Sequence, residues 1–243
     1  MRTIAIISVG VDDNGISYGS QCIENINRLA NEFNFDVRVL TDTPSLFNGI
    51  NCTVYEYDKK IFSFFEKYFF SFKLIKELNK SVTYIDCDSI DVLIKNEKYR
   101  TLESEDEVLF LTFWPVKIND EWKSWKYLPD MNIDKWVRPI IEFIELEGSD
   151  PSKIETMFEQ LYYFPIGLDY DKIQYELEKI KPVFEYASLY SKNLYRRTVY
   201  GHGEGLALSY SLYVNNVKKR EIEQPLTFEE GYNFISRNKN NYK

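Results

Sequence analysis

Cysteine and histidine are scarce in this sequence, which has three cysteines and one histidine among 243 residues. Cys22, Cys52 and Cys87 are far apart and form no Cys-x-x-Cys pair. Zinc ribbons and disulfide-stapled secreted domains need closely spaced or paired cysteines, so neither class fits. We therefore expect a protein of a reducing, cytoplasmic compartment.

Long apolar runs are also missing. No stretch approaches the ~20 consecutive apolar residues that span a bilayer, so we expect no transmembrane segment. The opening residues, MRTIAIISVG, are apolar but too short for the tripartite pattern of a signal peptide.

The sequence lacks an excess of basic residues. The 38 Asp and Glu outnumber the 30 Lys and Arg, which gives a net charge of −8. Proteins that bind nucleic acid usually present a basic face, so we expect no nucleic-acid partner. An acidic protein that handles a phosphorylated substrate needs local positive charge, and a divalent cation held by carboxylates commonly supplies it.

The remaining composition is that of a globular protein. Hydrophobic residues make up 44% and charged residues 28%, which argues against a largely disordered chain. The length suits one sizeable core, so we expect a single domain. Aromatic residues make up 16%. They serve either an aromatic core or a surface that stacks on sugars or bases, and composition leaves both open.

Alternating strands and helices are predicted for the first half. We predict strands at 3–9, 36–41, 52–57, 81–86 and 107–113, and helices at 20–33 and 61–79. This order predicts an α/β fold with a mixed, mainly parallel sheet flanked by helices. Such sheets bind ligands at the carboxyl ends of their strands.

The second half is less regular. A long, functional loop is expected at 114–136, which holds all four tryptophans. Further predictions are helices at 137–147, 150–161 and 169–191 (interrupted by Pro182), a short strand or turn at 163–167, a loop at 201–205 that opens another helix, and a polar tail at 237–243.

The decapeptide VTYIDCDSID carries the most specific chemical signal. Asp86 and Asp88 end a predicted buried strand, and residues i and i+2 of an extended segment point to the same side. Two hard oxygen donors suit Mn²⁺ or Mg²⁺, with diphosphate and water completing the coordination. The alternative is that both are turn and helix-cap residues.

These residues resemble a known pattern. The apolar strand followed by Asp86, Asp88 and Ser-Ile resembles the DxD motif of glycosyltransferases with the GT-A fold. The segment TIAIISVG with its polar loop and helix resembles their nucleotide-binding start. The resemblance covers roughly residues 1–115. It implies a GT-A-like (Rossmann-like) domain with a nucleotide-sugar-binding half at 1–115 and an acceptor-binding half at 116–236.

The resemblance also implies an activity: a metal-dependent, hexosyltransferase-type enzyme. Its donor would be a UDP- or GDP-sugar, with UDP favoured, and its acceptor a glycan or another hydroxyl compound. Asp86 would reach the ribose or the metal, and Asp88 would bind the metal. The implied nucleotide contacts are Ser8, Val9, Gly10, Tyr18 and Lys73.

The segment GHGEG contains the single histidine, His202, and Glu204. One interpretation is a loop histidine beside a carboxylate at a helix start, where the helix dipole favours negative charge. The segment also resembles the His-x-Glu of blood-group-like transferases, but it has Gly203 where they have an acidic residue. The resemblance implies His202 as a metal ligand or acceptor contact, and Glu204 as the catalytic carboxylate.

Aromatic residues are the candidates for acceptor binding, because sugar C–H faces pack well on flat rings. Trp114 directly follows the predicted fifth strand and should lie on the ligand side of the sheet. Tyr163 and Phe164 are further candidates, with a second hydrophobic cluster as the alternative.

Three rival functions share the Asp-x-Asp pattern or the carbohydrate chemistry. Family B DNA polymerases are far longer and have a basic DNA channel. Haloacid-dehalogenase-type phosphatases or phosphotransferases carry the motif on their first strand. The remaining rival is a non-catalytic carbohydrate-binding relative, which would retain metal affinity without turnover.

Overall fold

The computed structural model describes residues 1–11, 15–58, 65–112, 116–117, 141–156, 159–192 and 203–222. The expected tryptophan-rich loop lies outside the described residues except for 116–117, and so does the polar tail. His202 and Trp114 also lie outside them.

Four parallel strands form one half of the main sheet. They are β1 (Thr3–Ser8), β2 (Asp36–Thr41), β3 (Thr53–Glu56) and β4 (Val82–Asp86). β1 pairs with β2 on one side and with β4 on the other, and β2 pairs with β3. Every residue of β1 is buried, as the continuous apolar run predicts for a central strand. The predicted strands of this half are confirmed.

Helices cover both faces of this half. They are α1 (Tyr18–Asn31), α2 (Glu66–Leu78), α3 (Asp91–Lys95) and α4 (Glu97–Arg100). α1 buries Cys22, Ile26 and Leu29 at helical spacing against one face. α2 packs on the other face, where its Phe72 meets Phe164 edge to face at 5.3 Å between ring centroids.

The remaining strands are β5 (Glu107–Thr112), β6 (Val116–Lys117), β7 (Glu155–Thr156), β8 (Glu159–Phe164) and β9 (Lys218–Glu221). The main sheet has seven strands in the order β3-β2-β1-β4-β8-β5-β9, with β8 antiparallel to β4. β6 and β7 form a separate pair. The chain is thus an α/β protein with a mixed, mostly parallel sheet flanked by helices, as predicted.

The helix predicted at 150–161 is wrong. Pro151–Lys153 is a single turn of 3₁₀ helix, and the chain then runs as β7 and β8. The aromatic run Tyr162–Phe164 suits a strand that is buried on both faces, and pairing with β4 overrides the helical pattern. The short strand or turn predicted at 163–167 is confirmed, because β8 continues through Phe164 and a turn follows.

Two further helices differ from expectation at one point each. α5 (Tyr170–Lys192) continues through Pro182, and α6 begins at Gly203, so the last part of the predicted 201–205 loop is helical. α5 packs against α6, and this packing offsets the ~3 kcal/mol that an interior proline costs. α6 is buried from Glu204 through Leu212, and such burial stabilises a helix despite its glycines.

The chain divides into two compact units. The first comprises Met1–Leu111, Gln160–Leu168 and the segment that starts at Arg220; the second comprises Thr112–Glu159 and Asp169–Lys219. In the second unit, Phe143 meets Tyr210 edge to face, and Lys179 pairs with Glu147. The expected single domain stays a prediction. No helix within the described ranges has both the length and the apolar character needed to cross a membrane.

Candidate functional site

Three polar side chains stand at the carboxyl ends of adjacent parallel strands. Ser8 ends β1, Thr41 ends β2 and Asp86 ends β4. Ser8 is opposite Thr41 in the ladder, and Asp86 is opposite Ile7. The strand register therefore places all three at one edge of the sheet, the edge at which α/β proteins bind ligands.

Asp86 is held by a neighbour on its own strand. The hydroxyl of Tyr84 donates a hydrogen bond of 2.6 Å to Asp86 Oδ1. Tyr84 is 4% exposed, whereas Asp86 is half-buried. Burial, and then the nearby charge of Asp86, raise the pKa of Tyr84 well above its ordinary value, so the phenol keeps its proton and remains a donor.

Asp88 lies in a turn and not in the strand. The turn is closed by a 2.9 Å hydrogen bond from the Ser89 amide to the Asp86 carbonyl, so the alternation of an extended strand ends at Asp86. Asp88 is exposed, and its Oδ1 accepts a 3.1 Å hydrogen bond from the Ser89 hydroxyl. Convergence of the two carboxylates on one cation stays a prediction.

The alternative of turn and helix-cap residues is confirmed in part, since Asp88 does lie in a turn, but the described contacts show no capping of the next helix by either carboxylate. The helix that follows, α3, has Ile90 at its N-cap and no side-chain capping hydrogen bond. Asp88 and Ser89 hydrogen-bond each other within the turn. Capping of α3 therefore does not account for the Asp-x-Asp sequence.

The loop after β1 lies beside this edge, where Gly10 contacts Asp42 and Tyr18. Gly10 has a φ of +91°, a conformation that suits glycine, and its amide donates a 3.2 Å hydrogen bond to Asp42 Oδ1. The amide of Tyr18 donates to the Gly10 carbonyl at 3.2 Å. Ser8 is fully buried, while Val9 and Gly10 are partly exposed. The hydrogen bond from Tyr18 thus joins it to the segment Ser8, Val9 and Gly10, which makes four of the predicted nucleotide contacts neighbours. Their role in binding stays a prediction.

Hydroxyl groups hold the start of α1 at the same edge. The Ser17 hydroxyl caps the helix by accepting from the Gly19 amide at 3.1 Å, and it lies 3.4 Å from Thr43 Oγ1. Thr43 Oγ1 in turn lies 3.2 Å from Thr41 Oγ1. The first turn of α1 contains no acidic residue. Such an amino-terminal helix end favours anions such as phosphate.

The side chain of Lys73 contacts Glu77 of its own helix and the ring of Tyr55. Its ammonium lies 3.6 Å from Glu77 Oε1 and 5.1 Å from the centroid of the Tyr55 ring on β3. The side chain is more than half exposed. Its predicted contact with a nucleotide stays a prediction.

The cysteines near this edge are protonated thiols. Burial raises the pKa of Cys22 to about 11. Burial, and then the charge of Asp88, also raise the pKa of Cys87 well above its ordinary value. Cys22 Sγ also lies 3.8 Å from the Ser8 hydroxyl. Neither thiol is therefore a ready thiolate ligand or nucleophile.

The donor type at this edge is the one that hard cations prefer, and a bound cation stays a prediction. Asp86 and Asp88 supply carboxylate oxygens, which Mg²⁺ and Mn²⁺ prefer. Among the described residues, no three Asp, Glu, His or Cys side chains cluster as a complete metal site. Substrate oxygens and water would complete the coordination, as is usual for Mg²⁺ bound with phosphates.

Glu204 belongs to the second unit. It is 2% exposed and lies in the first turn of α6. A carboxylate in the first turn interacts favourably with the helix dipole. Because His202 lies outside the described residues, the His-x-Glu pairing and the catalytic role of Glu204 stay predictions.

The two aromatic acceptor candidates in β8 are buried. Tyr163 is 8% exposed and its hydroxyl lies 3.5 Å from the Ser104 carbonyl. Phe164 is 0% exposed, between Phe72 and Tyr162. These positions favour the hydrophobic-cluster alternative, and acceptor contact by either residue stays a prediction.

Phe164→Leu is expected to lower the free energy of unfolding by about 1–3 kcal/mol, because the smaller side chain leaves the edge-to-face packing on Phe72 unfilled. Urea denaturation followed by circular dichroism measures this change. A variant as stable as the wild type would contradict the buried position of the ring.

Comparison with known proteins gives no family assignment. No family model and no curated protein matches the sequence. Solved structures that resemble the fold include the galactosyltransferase LgtC in complex with donor and acceptor sugar analogues, with a TM-score of 0.42 and 10% identity over 89% of this chain and 72% of that chain.

Two further structures resemble the fold at a similar level. The glycosyltransferase GlyE of Streptococcus pneumoniae has a TM-score of 0.39 and 10% identity over 99% of this chain. Residues 1–349 of TarS from S. aureus have a TM-score of 0.36 and 11% identity over 98% of this chain. The match spans only 50% of the GlyE chain and 64% of the TarS chain. Likenesses of this size do not establish a family.

Proposed function

We propose that this chain is a glycosyltransferase that transfers a sugar from a nucleotide-sugar, with UDP-sugars favoured over GDP-sugars, to a hydroxyl acceptor such as a glycan. The observation that carries the proposal is the carboxyl edge of the sheet. There the Asp86–Asp88 turn provides oxygen donors for Mn²⁺ or Mg²⁺, and the amino-terminal end of α1 favours phosphate.

The donor half of the mechanism uses this edge. Asp86 and Asp88 would hold the cation, which would supply positive charge for the departing nucleoside diphosphate. Tyr84 orients Asp86 by its hydrogen bond. Val9 and Gly10 are partly exposed, the Gly10 amide is bonded to Asp42, and this segment would contact the nucleoside.

The acceptor half of the mechanism would use residues from the second half of the chain. In an inverting reaction Glu204 would accept the proton of the acceptor hydroxyl. In a retaining reaction it would stabilise or attack the sugar cation. His202 would contribute a neutral nitrogen to the cation or a hydrogen bond to the acceptor, and Trp114 an apolar face to the acceptor sugar.

Two other activities share part of this chemistry. An Asp-x-Asp phosphatase or phosphotransferase would also use a carboxylate at a strand end, but haloacid-dehalogenase-type enzymes carry theirs on the first strand, whereas Asp86 ends the fourth. A non-catalytic carbohydrate-binding protein would keep the cation and the sugar without transfer. Both give distinct outcomes in the experiment below.

A thermal-shift panel of UDP-, GDP- and CMP-sugars, each with and without Mn²⁺, is expected to give a metal-dependent rise for one nucleotide class, with UDP favoured. A ligand at a hundredfold excess over its Kd stabilises the native state by about 2.7 kcal/mol. For a chain of this size that corresponds to a rise in Tm of roughly 5–10 °C.

The controls are Mn²⁺ alone and free sugars without nucleotide. A rise that does not need Mn²⁺ would show that the nucleotide binds without the cation that Asp86 and Asp88 are proposed to hold. No rise with any nucleotide would contradict the proposed donor class. In that case, hydrolysis of p-nitrophenyl phosphate would indicate a phosphatase, and a shift with free glycans would indicate a binding protein.

A further inference from the structure

We propose that Tyr84 is a positioning residue that fixes the carboxylate of Asp86 for the divalent cation. The proposal deepens the proposed function and rests on it. Its basis is the 2.6 Å hydrogen bond from the Tyr84 hydroxyl to Asp86 Oδ1. The distance lies within the range of about 2.5–2.7 Å that is typical of O–H···O⁻ bonds, which are shorter and stronger than bonds between neutral groups.

The strand holds the donor in place. Tyr84 and Asp86 are two residues apart on β4, so their side chains leave the same face of the sheet. Tyr84 is paired with Ala5 of β1 on one side and with Tyr162 of β8 on the other. A phenol that is 4% exposed, between two paired strands, has little room to change rotamer.

The carboxylate of Asp86 stands at the point where strand and turn meet. Asp86 is the last residue of β4 and is half-buried, and the chain turns directly after it. Without a fixed partner, an aspartate at such a position samples several rotamers, and binding a cation would have to order it. Tyr84 removes part of that cost before the cation arrives, because its hydroxyl already holds Asp86 Oδ1 without the ion.

Tyr84→Phe is the test variant, since it removes the hydroxyl and keeps the ring. Residues that hydrogen-bond a metal ligand typically contribute about 10–100-fold to metal affinity. We expect Mn²⁺ to bind Tyr84→Phe at least about tenfold more weakly than the wild type. The measurement is a titration of Mn²⁺, alone and with UDP, in which electron paramagnetic resonance follows the free ion.

Tyr162→Phe is the matched control. Tyr162 lies opposite Tyr84 in the ladder, is 0% exposed, and its hydroxyl lies 3.3 Å from that of Tyr68 rather than at Asp86. The substitution removes the same group from the same sheet. We expect its Mn²⁺ affinity to stay within about twofold of the wild type. Melting curves without metal show what each variant loses in stability alone.

Asp88→Asn separates failure of the inference from failure of the proposed function. Wild-type affinity in Tyr84→Phe, together with loss in Asp88→Asn, would overturn the role of Tyr84 and leave the carboxylate site standing. Equal weakening in Tyr84→Phe and Tyr162→Phe would also overturn it, because the effect would then be general. Equal affinity in the wild type and Asp88→Asn, or no binding to the wild type, would overturn both.

Discussion

Replacing Asp88 by Asn is expected to reduce sugar transfer by at least about a hundredfold while the fold stays intact. A bound cation stabilises the charge that builds on a departing nucleoside diphosphate by several kcal/mol. Each ~1.4 kcal/mol of this stabilisation is a factor of ten in rate. Asp88 is exposed in a surface turn, so the substitution does not disturb the core. Initial rates at saturating donor and Mn²⁺ measure the loss.

Asp91→Asn is the control for this loss. Asp91 is three residues further along the chain, starts α3, and its carboxylate pairs with Lys95 at 2.6 Å. An i,i+4 pair of this kind contributes roughly 0.3–0.5 kcal/mol to stability. Because Asp91 is not a proposed cation ligand, its substitution should leave the rate within about twofold. Full activity in Asp88→Asn, or equal loss in both variants, would refute the assignment of Asp88 to the cation.

Glu204→Gln is expected to depress turnover by about 10²–10⁴-fold, the range typical of a positioned acid or base, with little change in donor affinity. The amide keeps the shape of the side chain but cannot accept the acceptor proton. Because Glu204 is 2% exposed, the substitution also needs a stability check by thermal melting. Turnover and donor Kd are measured separately, by kinetics and by calorimetry.

The control for Glu204 is Glu176→Gln in the same unit. Glu176 lies on α5 and pairs with Lys179 at 3.2 Å, so its removal tests the effect of losing a carboxylate from the other long helix of that unit. Equal losses of turnover and donor affinity in Glu204→Gln would assign this carboxylate to donor binding. Unchanged turnover would remove it from the mechanism.

The parallel half of the fold was predictable because its signals are local. Continuous apolar runs such as TIAIIS predict strands that are buried on both faces. The 3.6-residue spacing of Cys22, Ile26 and Leu29 predicts a helix with one buried face. The position of Asp86 followed from the apolar run of β4, which ends at that residue. The sheet edge that carries the candidate site was therefore visible in the sequence.

The second half was less predictable because distant pairing decides its structure. β8 is a strand because it lies between β4 and β5, a partnership that no local pattern reveals. Pro182 remains inside α5, and Gly203 becomes helical, because α5 and α6 bury each other's surfaces. In each case tertiary packing outweighs intrinsic propensity.

The candidate site shows the same division. The sequence led to Asp86 and Asp88 but missed Tyr84, although its signal was present: a tyrosine two residues before an aspartate on one strand shares its face. Asp42 and the hydroxyls of Thr41, Thr43 and Ser17 left no such signal. Their roles arise where separate strand ends and a helix start meet.

The most direct test of the account is release of nucleoside diphosphate from a panel of UDP- and GDP-sugars, measured with Mn²⁺ and again after EDTA, in the wild type and Asp88→Asn. We predict release from one donor class, with UDP-sugars favoured, that EDTA and Asp88→Asn both abolish. Release that survives both treatments would contradict the carboxylate-held cation. No release from any donor, with phosphate-ester hydrolysis in its place, would contradict glycosyl transfer itself.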